Sequence, residues 1–359
     1  MSKKVTFKEV AELAGVSTQT VSRVTNGGKG VEPNTLKRVQ QAIDTLGYVP
    51  NKGAQLLVRK KAKVFGVISL DMSMEGAMNI VEGIRVESKQ QGYAISISVL
   101  EPGDDNLEEA IRDLKAQQVD AILINLAVTK EVAEAMVKKH HHIPFLFIDV
   151  PVEANVSQVS ANHYQGAKKI IKSLLAKGHQ RFALLNGPEN SWAANQRKLA
   201  WEEEIKKANA KIIIQAEGDW SAKSGYLETT QMLLHPQKFD ALLVVSDQMA
   251  LGALRACAEQ KKAVPQQLAV TGFDDTSDSA YFNPPLTTVR QNFLEIGKQA
   301  VQKILHQLKD HKVISKEFIE VELIERQSTM LLDKEVNSVQ KIENLLQEIQ
   351  TILPTIPHQ

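Results

Sequence analysis

The sequence predicts an all-α helix-turn-helix head, an α/β body of two lobes on doubly wound parallel sheets, and a helix at the end of the chain. Three observations predict it. Residues 1–63 hold twelve Lys/Arg against four Asp/Glu, a balance of +8 within a chain of net charge +1, and carry capped helical patterns. From residue 64, short apolar runs alternate with amphipathic helical segments, as in parallel sheets with crossover helices. After a polar stretch at 333–338, large apolar residues return at 3-4-3-4 spacing. A length of 359 residues suits two or three domains.

In the head, Thr6-Phe7-Lys8-Glu9 forms a capping box in which the threonine caps a helix and the glutamate reaches back. Val10, Leu13 and Ala14 give that helix its apolar stripe, and Gly15 ends it. Ser17 caps a second helix that runs through about Asn26 with Val21 and Val24 inward. Its outer face shows Thr18, Gln19, Ser22 and Arg23. Two short helices around a tight glycine turn form a helix-turn-helix, whose second helix enters the major groove. There Arg pairs with guanine and Gln with adenine, while Ser and Thr hold phosphates. Pro33 starts a third helix with Leu36, Val39, Ile43 and Leu46 on its inner face, and Gly47 stops it. A basic head on a body of net charge −7 (+1 less +8) implies a polyanionic partner for the head alone.

In the body, Val64–Leu70, Ala94–Leu100 and residues 121–126, 145–150, 182–185, 241–245 and 268–272 read as buried parallel strands. Segments 80–91, 107–117, 166–175 and 248–259 read as amphipathic helices between them. The length exceeds one ordinary sheet, so two similar lobes are expected. In open α/β folds the ligand lies beyond the carboxyl ends of the strands. Asp149, Ser246-Asp247 and Asp274-Asp275 stand there; Arg197 opens a helix after the Gly187-Pro188 loop, and Trp220 precedes another. Carboxylates and a guanidinium to take paired hydroxyls, with an aromatic face for the C–H side of a ring, make a sugar-binding set. Taken singly, the same residues also fit helix caps, core filling and surface charge.

In the tail, Val339, Ile342, Leu346, Ile349 and Leu353 form a stripe that Pro354 ends. A lone helix of about 15 residues is marginal in water, so the face must pack on something. Docking back on the body and pairing with other subunits both satisfy it. The single Cys257 offers neither a disulfide nor a thiolate cluster, and His140-His141-His142 is placed in the last turn of a helix rather than at a metal. No metal and no cofactor is expected. No signal-peptide pattern or run of about 20 apolar residues is present, so the expected compartment is the cytoplasm, with no membrane partner. Nucleophile-elbow, phosphate-loop and zinc-protease motifs are absent, so no enzyme is expected.

The run Val5-Thr6, Glu9-Val10-Ala11, Ala14-Gly15-Val16-Ser17, Thr20-Val21-Ser22-Arg23-Val24 and Asn26, continued by Gly47-Tyr48-Val49-Pro50-Asn51, resembles the DNA-binding signature of the LacI/GalR repressor family. The likeness extends over nearly the whole chain. It implies a head at 1–50, a hinge helix at 51–62, a periplasmic-binding-protein-like core at 63–332 with three crossovers, a linker at 333–338 and a tetramerisation helix at 339–359. DNA contacts are implied for Thr6, Ser17, Thr18, Gln19, Thr20, Arg23, Asn26, Thr35 and Tyr48. In the hinge, Asn51, Ala54, Gln55 and Leu57 are implied to meet the minor groove, with Leu57 wedging a base step. Gly53 lowers that hinge's helix propensity by about 1 kcal/mol, and Thr18 and Gly30 replace larger DNA-contacting side chains of the family.

For the effector, the resemblance implies contacts from Asn125, Asp149, Arg197, Trp220, Ser246, Asp274, Gln291 and Phe293. A less polar wall is implied at Met74, Gly76, Ala77, Ile80 and Ile296. Ser246 stands where the family has a sugar-binding asparagine, Ala193 replaces a serine and Ala161 a phenylalanine. The function implied is a repressor of a galactoside-utilisation operon. Its dimer, and dimer of dimers through the five tail residues, would hold a pseudo-palindromic operator until sugar releases it. Other readings are another sugar, a corepressor instead of an inducer, a transport-type sugar receptor and a sugar-processing enzyme.

Overall fold

The computed structural model describes residues 5–25, 30–49, 62–70, 74–100, 106–310 and 313–330. Asn26, the expected hinge residues Asn51, Ala54, Gln55 and Leu57, the linker and the tail residues Val339, Ile342, Leu346, Ile349 and Leu353 lie outside the described residues. The chain divides at Lys63/Val64 into two compact units.

The head holds α1 (Phe7–Ala14), α2 (Thr18–Thr25) and α3 (Pro33–Leu46). At the start of α1, the Glu9 carboxylate accepts from the Thr6 amide at 2.8 Å and the Thr6 hydroxyl at 3.0 Å. Gly15 and Gly47 end α1 and α3 at φ +63° and +58°, where a side chain would be strained. Arg38 of α3 donates to the Ala14 and Gly15 carbonyls at 2.6 and 3.1 Å, satisfying α1's last turn. The core is Val10, Ala11, Ala14, Val21, Val39 and Ala42, flanked by partly buried Val24, Ile43, Leu46 and Tyr48. Two expected core positions turn outward: Leu13 is 53% and Leu36 40% exposed. In both helices an alanine, Ala11 or Ala42, takes the inner flank instead, which lets these short helices approach closely.

The body has two parallel sheets. The first is β11-β5-β4-β3-β1-β2: β1 Val64–Leu70, β2 Ala94–Leu100, β3 Ala121–Asn125, β4 Phe145–Ile148, β5 Gln158–Ala161 and β11 Lys316–Ile319. The second is β7-β6-β8-β9: β6 Arg181–Asn186, β7 Lys211–Glu217, β8 Ala241–Val244 and β9 Ala269–Thr271. A two-stranded antiparallel ribbon joins β10 (Thr288–Arg290) and β12 (Glu322–Ile324). Alternate side chains go to opposite faces, as a strand requires. Phe65, Val67, Ala121, Leu123, Leu146 and Ile148 enter one core, and Ile68, Ile122, Ile124, Phe145 and Phe147 the other. Both faces are covered, which is why these strands read as unbroken apolar runs.

The body helices are α4 (Glu75–Gln90), α5 (Leu107–Ala116), α6 (Lys130–Lys139), α7 (His163–Ala176), α8 (Trp192–Lys207), α9 (Ala222–Leu233), α10 (Asp247–Glu259) and α11 (Phe293–Gln307). The chain passes between the lobes three times: from β5 into α7, from β10 into α11, and from β11 into β12. Two helix pairs meet backbone to backbone. A methyl on Gly297 of α11 would lie 2.2 Å from the Ile80 carbonyl oxygen of α4, and one on Gly252 of α10 1.9 Å from that of Ala222 in α9. The histidine triplet falls just past α6 instead of within its last turn. His140 caps the helix, buried between Glu108 Oε2 at 3.2 Å and Lys115 Nζ at 3.3 Å. Among the described residues, no helix is long and apolar enough to cross a membrane.

Candidate functional sites

In the head, the loop after Gly15 delivers Ser17 as the cap of α2: its hydroxyl accepts from the Thr20 amide at 3.2 Å and lies 3.0 Å from Thr20 Oγ1. Val21 anchors the inner face of α2, fully buried. With that face fixed, Thr18, Gln19 and Arg23 are exposed, while Thr20 and Ser22 are half-buried. Thr6 is exposed at the start of α1, and Thr35 in the first turn of α3 is half-buried. Tyr48 packs on Phe7, ring centroids 5.4 Å apart. Arg23 falls in the last turn of α2, where a cation suits the helix dipole. The result is a short exposed helix face of hydrogen-bonding groups, the shape and chemistry that fit base edges in a groove.

The second site lies at the carboxyl ends of strands from both lobes. Asn125 ends β3 and donates to Ser69 Oγ at 3.0 Å and the Ala77 carbonyl at 3.5 Å. Asp149 follows β4 and reaches across to the other lobe, accepting from the Ala193 amide at 2.7 Å and Ser191 Oγ at 2.9 Å. From the other lobe, Asp274 follows β9 and accepts from Gln291 Nε2 at 2.7 Å. Trp220 stands against the glycine of the Gly187-Pro188 loop, where a methyl would lie 3.0 Å from its ring. Three of these residues hold positive φ, Asp149 at 65°, Trp220 at 76° and Asp274 at 132°. Such strain persists where surrounding structure fixes it, and it gathers at functional sites.

Arg197 is the centre of the group. It lies in the second turn of α8, not at the helix start, and is 3% exposed. Its Nη1 donates to the Val245 carbonyl and lies 3.6 Å from Asp274 Oδ1; its Nη2 is 3.3 Å from His163 Nδ1. The guanidinium carbon sits 3.8 Å from the Phe273 ring centroid and 5.7 Å from that of Trp220. Its Nε is buried with no hydrogen-bond partner among the described residues. Burial pushes the Asp274 carboxyl up to about 7, against the opposing pull of Arg197. Burial likewise raises Asp149, which two hydrogen bonds and Arg197 partly offset.

The apolar wall is divided. Ile80 and Ile296 are buried in the main core, Phe293 covers Gly76 with its ring edge 3.0 Å from where a methyl would stand, and Met74 caps α4 half-buried. The hydroxyl of Ser246 accepts from the Met249 amide at 3.3 Å, capping α10. Its neighbour Asp247 is fully buried and braces its own lobe, accepting from Ser279 Oγ, Thr288 Oγ1 and the Thr276 amide. His163 and Phe273, both against Arg197, escaped the sequence reading. A histidine opening a helix and a phenylalanine just past a strand carry no signal that separates them from core.

The comparisons with known proteins fall on the same two units. The model of bacterial regulatory proteins of the lacI family matches residues 6–51, and that of a periplasmic binding protein-like domain matches residues 171–329. The lactose operon repressor of Escherichia coli (strain K12) is 34% identical over 348 residues, 97% of each chain. The ribose operon repressor of Escherichia coli (strain K12) is 28% identical over 306 residues, 84% of this chain and 93% of that one. Among solved structures, the lac repressor dimer bound to operator and the anti-inducer ONPF superposes with a TM-score of 0.87 at 35% identity, covering 92% of this chain and all of that one. With a head and body that match the family at both ends and a relative of this similarity over almost its whole length, the chain belongs to the LacI family of DNA-binding transcriptional repressors.

Proposed function

We propose that this repressor binds a sugar, a galactoside first, at the group around Arg197, and that the sugar releases it from operator DNA. The observation that carries the reading is the pair of buried Arg197 and half-buried Asp274, 3.6 Å apart, with one guanidinium donor left unpartnered among the described residues. Buried polar groups without partners are costly, so a ligand whose hydroxyls pair them gains both affinity and selectivity. Asp149 and Asp274 accept from hydroxyls, Arg197 donates, and the Trp220 and Phe293 rings offer faces to the C–H side of the ring. Gln291 holds Asp274 in place through its bond, and Asn125, tied to Ser69 and the Ala77 carbonyl, would offer its amide oxygen to the ligand. Similarity to a lactose operon repressor supports the galactoside. The same groups are read as a binding site and not a catalytic one.

Two heads, one from each subunit of a dimer, would meet half-sites about 34 Å apart on a pseudo-palindromic operator. The hinge residues Asn51, Ala54, Gln55 and Leu57 would order on its minor groove. The five-residue apolar stripe of the tail would join two dimers. Calorimetric titration of the full chain with methyl β-galactoside, lactose, ribose and glucose tests the sugar. Saturable binding of a galactoside, lost in Arg197→Ala, is expected; binding of ribose alone would replace the galactoside, and binding of none would end the sugar reading.

A further inference from the structure

His163 opens α7 directly after the first crossover and is 6% exposed. Its Nε2 lies 3.2 Å from Ser160 Oγ and its Nδ1 3.3 Å from Arg197 Nη2. The ring meets Trp192 edge-on, centroids 5.8 Å apart, and Phe273 at a tilt, 6.1 Å apart. A guanidinium has only donors, so Nδ1 is bare and accepts from Arg197, and the ring proton sits on Nε2 and is given to Ser160 Oγ. The neighbours fix the tautomer.

The charges around the ring are also fixed. β5 brings Ser160, the segment after β9 brings Phe273, and α8 brings Trp192 and Arg197, of which only Arg197 is charged. Asp149, Asp247 and Asp274 act on the guanidinium. Burial, and after it the Arg197 charge, hold the imidazole well below its ordinary value. A second ring proton would set two cations, both almost fully buried, against each other. Arg197 is thereby held at one end by Val245 and Asp274, at the other by His163, and on its face by Phe273.

We propose that His163 is a positioning residue for effector binding: neutral, with its proton on Nε2, it holds Arg197 Nη2 and so leaves Nε as the donor offered to the ligand. This rests on the sugar reading of the site. A purely space-filling histidine would depend on ring volume; a positioning one depends on an acceptor at the Nδ1 position. Asparagine places its amide oxygen there, glutamine reaches the Nε2 position instead, and leucine offers no acceptor.

The test titrates methyl β-galactoside into the full chain by calorimetry, with thermal melting to confirm that each variant folds. His163→Asn is expected to stay within about threefold of the unsubstituted chain, while His163→Gln and His163→Leu lose about tenfold or more. If the leucine variant fails to fold, the asparagine–glutamine contrast carries the result. Equal losses in Asn and Gln, or none in either, overturn the proposal. Should the unsubstituted chain bind neither this galactoside nor ribose, the sugar reading falls. The positioning claim is then decided without ligand by nitrogen NMR of the imidazole. Nδ1 bare and Nε2 protonated, unchanged from about pH 8 to about pH 6, where a free imidazole titrates, is the expected pattern. A proton on Nδ1, or a second proton gained in that range, contradicts it.

Discussion

At the scale of residues, the cleft groups are held by opposing forces whose balance can be measured. Asp274 pairs with Arg197, yet loss of water outweighs that attraction and raises its carboxyl to about 7. A raised carboxyl in the folded state means that the folded chain binds a proton the unfolded chain has released. The stability this contributes is full below about pH 4 and lost as pH rises through about 7. Urea unfolding of Asp274→Asn should therefore lose part of the fall in stability that the unsubstituted chain shows between these limits, with Asp149 and Asp247, also raised, supplying the remainder. An identical pH slope in the two proteins would show that Asp274 is ionised throughout. In the head, Arg23 is exposed on α2, so Arg23→Ala removes chemistry without removing core. It should cost about 1–3 kcal/mol on the preferred operator and much less on unrelated DNA. Competition binding against random duplex checks this, and an equal loss on both would place Arg23 on phosphate.

At the scale of elements, stability rests on close helix approach. Gly297→Ala would drive a methyl into the Ile80 carbonyl, so α4 and α11 must separate, at a cost of about 1–3 kcal/mol read as a lowered melting temperature. An unchanged melt would mean that the helices give without loss. The same scale shows what the sequence made legible. β1 matches its apolar run to the residue because both of its faces are buried and no polar side blurs it; β2 matches as well, although Ala94, Ile97 and Val99 are exposed. Helices were read late at their polar starts: α4 begins at Glu75, five residues before the expected Ile80, and α7 at His163. β5, Gln-Val-Ser-Ala, passed unread because two of its four buried residues are polar. α8 has little amphipathic pattern, since Arg197 and Glu204 lie on its buried side beside Ala200 and Trp201. A buried guanidinium and a buried carboxylate break the periodicity that would announce this helix. Asp149 and Asp274 are legible because they follow strands and Trp220 because it precedes a helix, whereas His163 depends on a contact 34 residues away in sequence.

At the scale of the whole molecule, the proposed function joins a DNA-binding head, a sugar-binding body and a tail that assembles dimers. Deleting residues 339–359 should turn a tetramer into a dimer that still binds one operator and still answers to sugar. Sedimentation of both proteins at matched concentration decides it, and two dimers would mean that the apolar stripe packs elsewhere. Looping between two operators, which depends on effective concentration, should vanish with the tail. The central claim is that sugar and operator compete through one conformational equilibrium, and linkage makes their effects reciprocal. Operator affinity measured with and without saturating galactoside, in the unsubstituted chain and in Arg197→Ala, tests it most directly. The account predicts that galactoside weakens operator binding by the same factor by which operator weakens galactoside binding, and that Arg197→Ala keeps operator affinity but loses the response. Operator affinity that stays unchanged or tightens at saturating galactoside would contradict it.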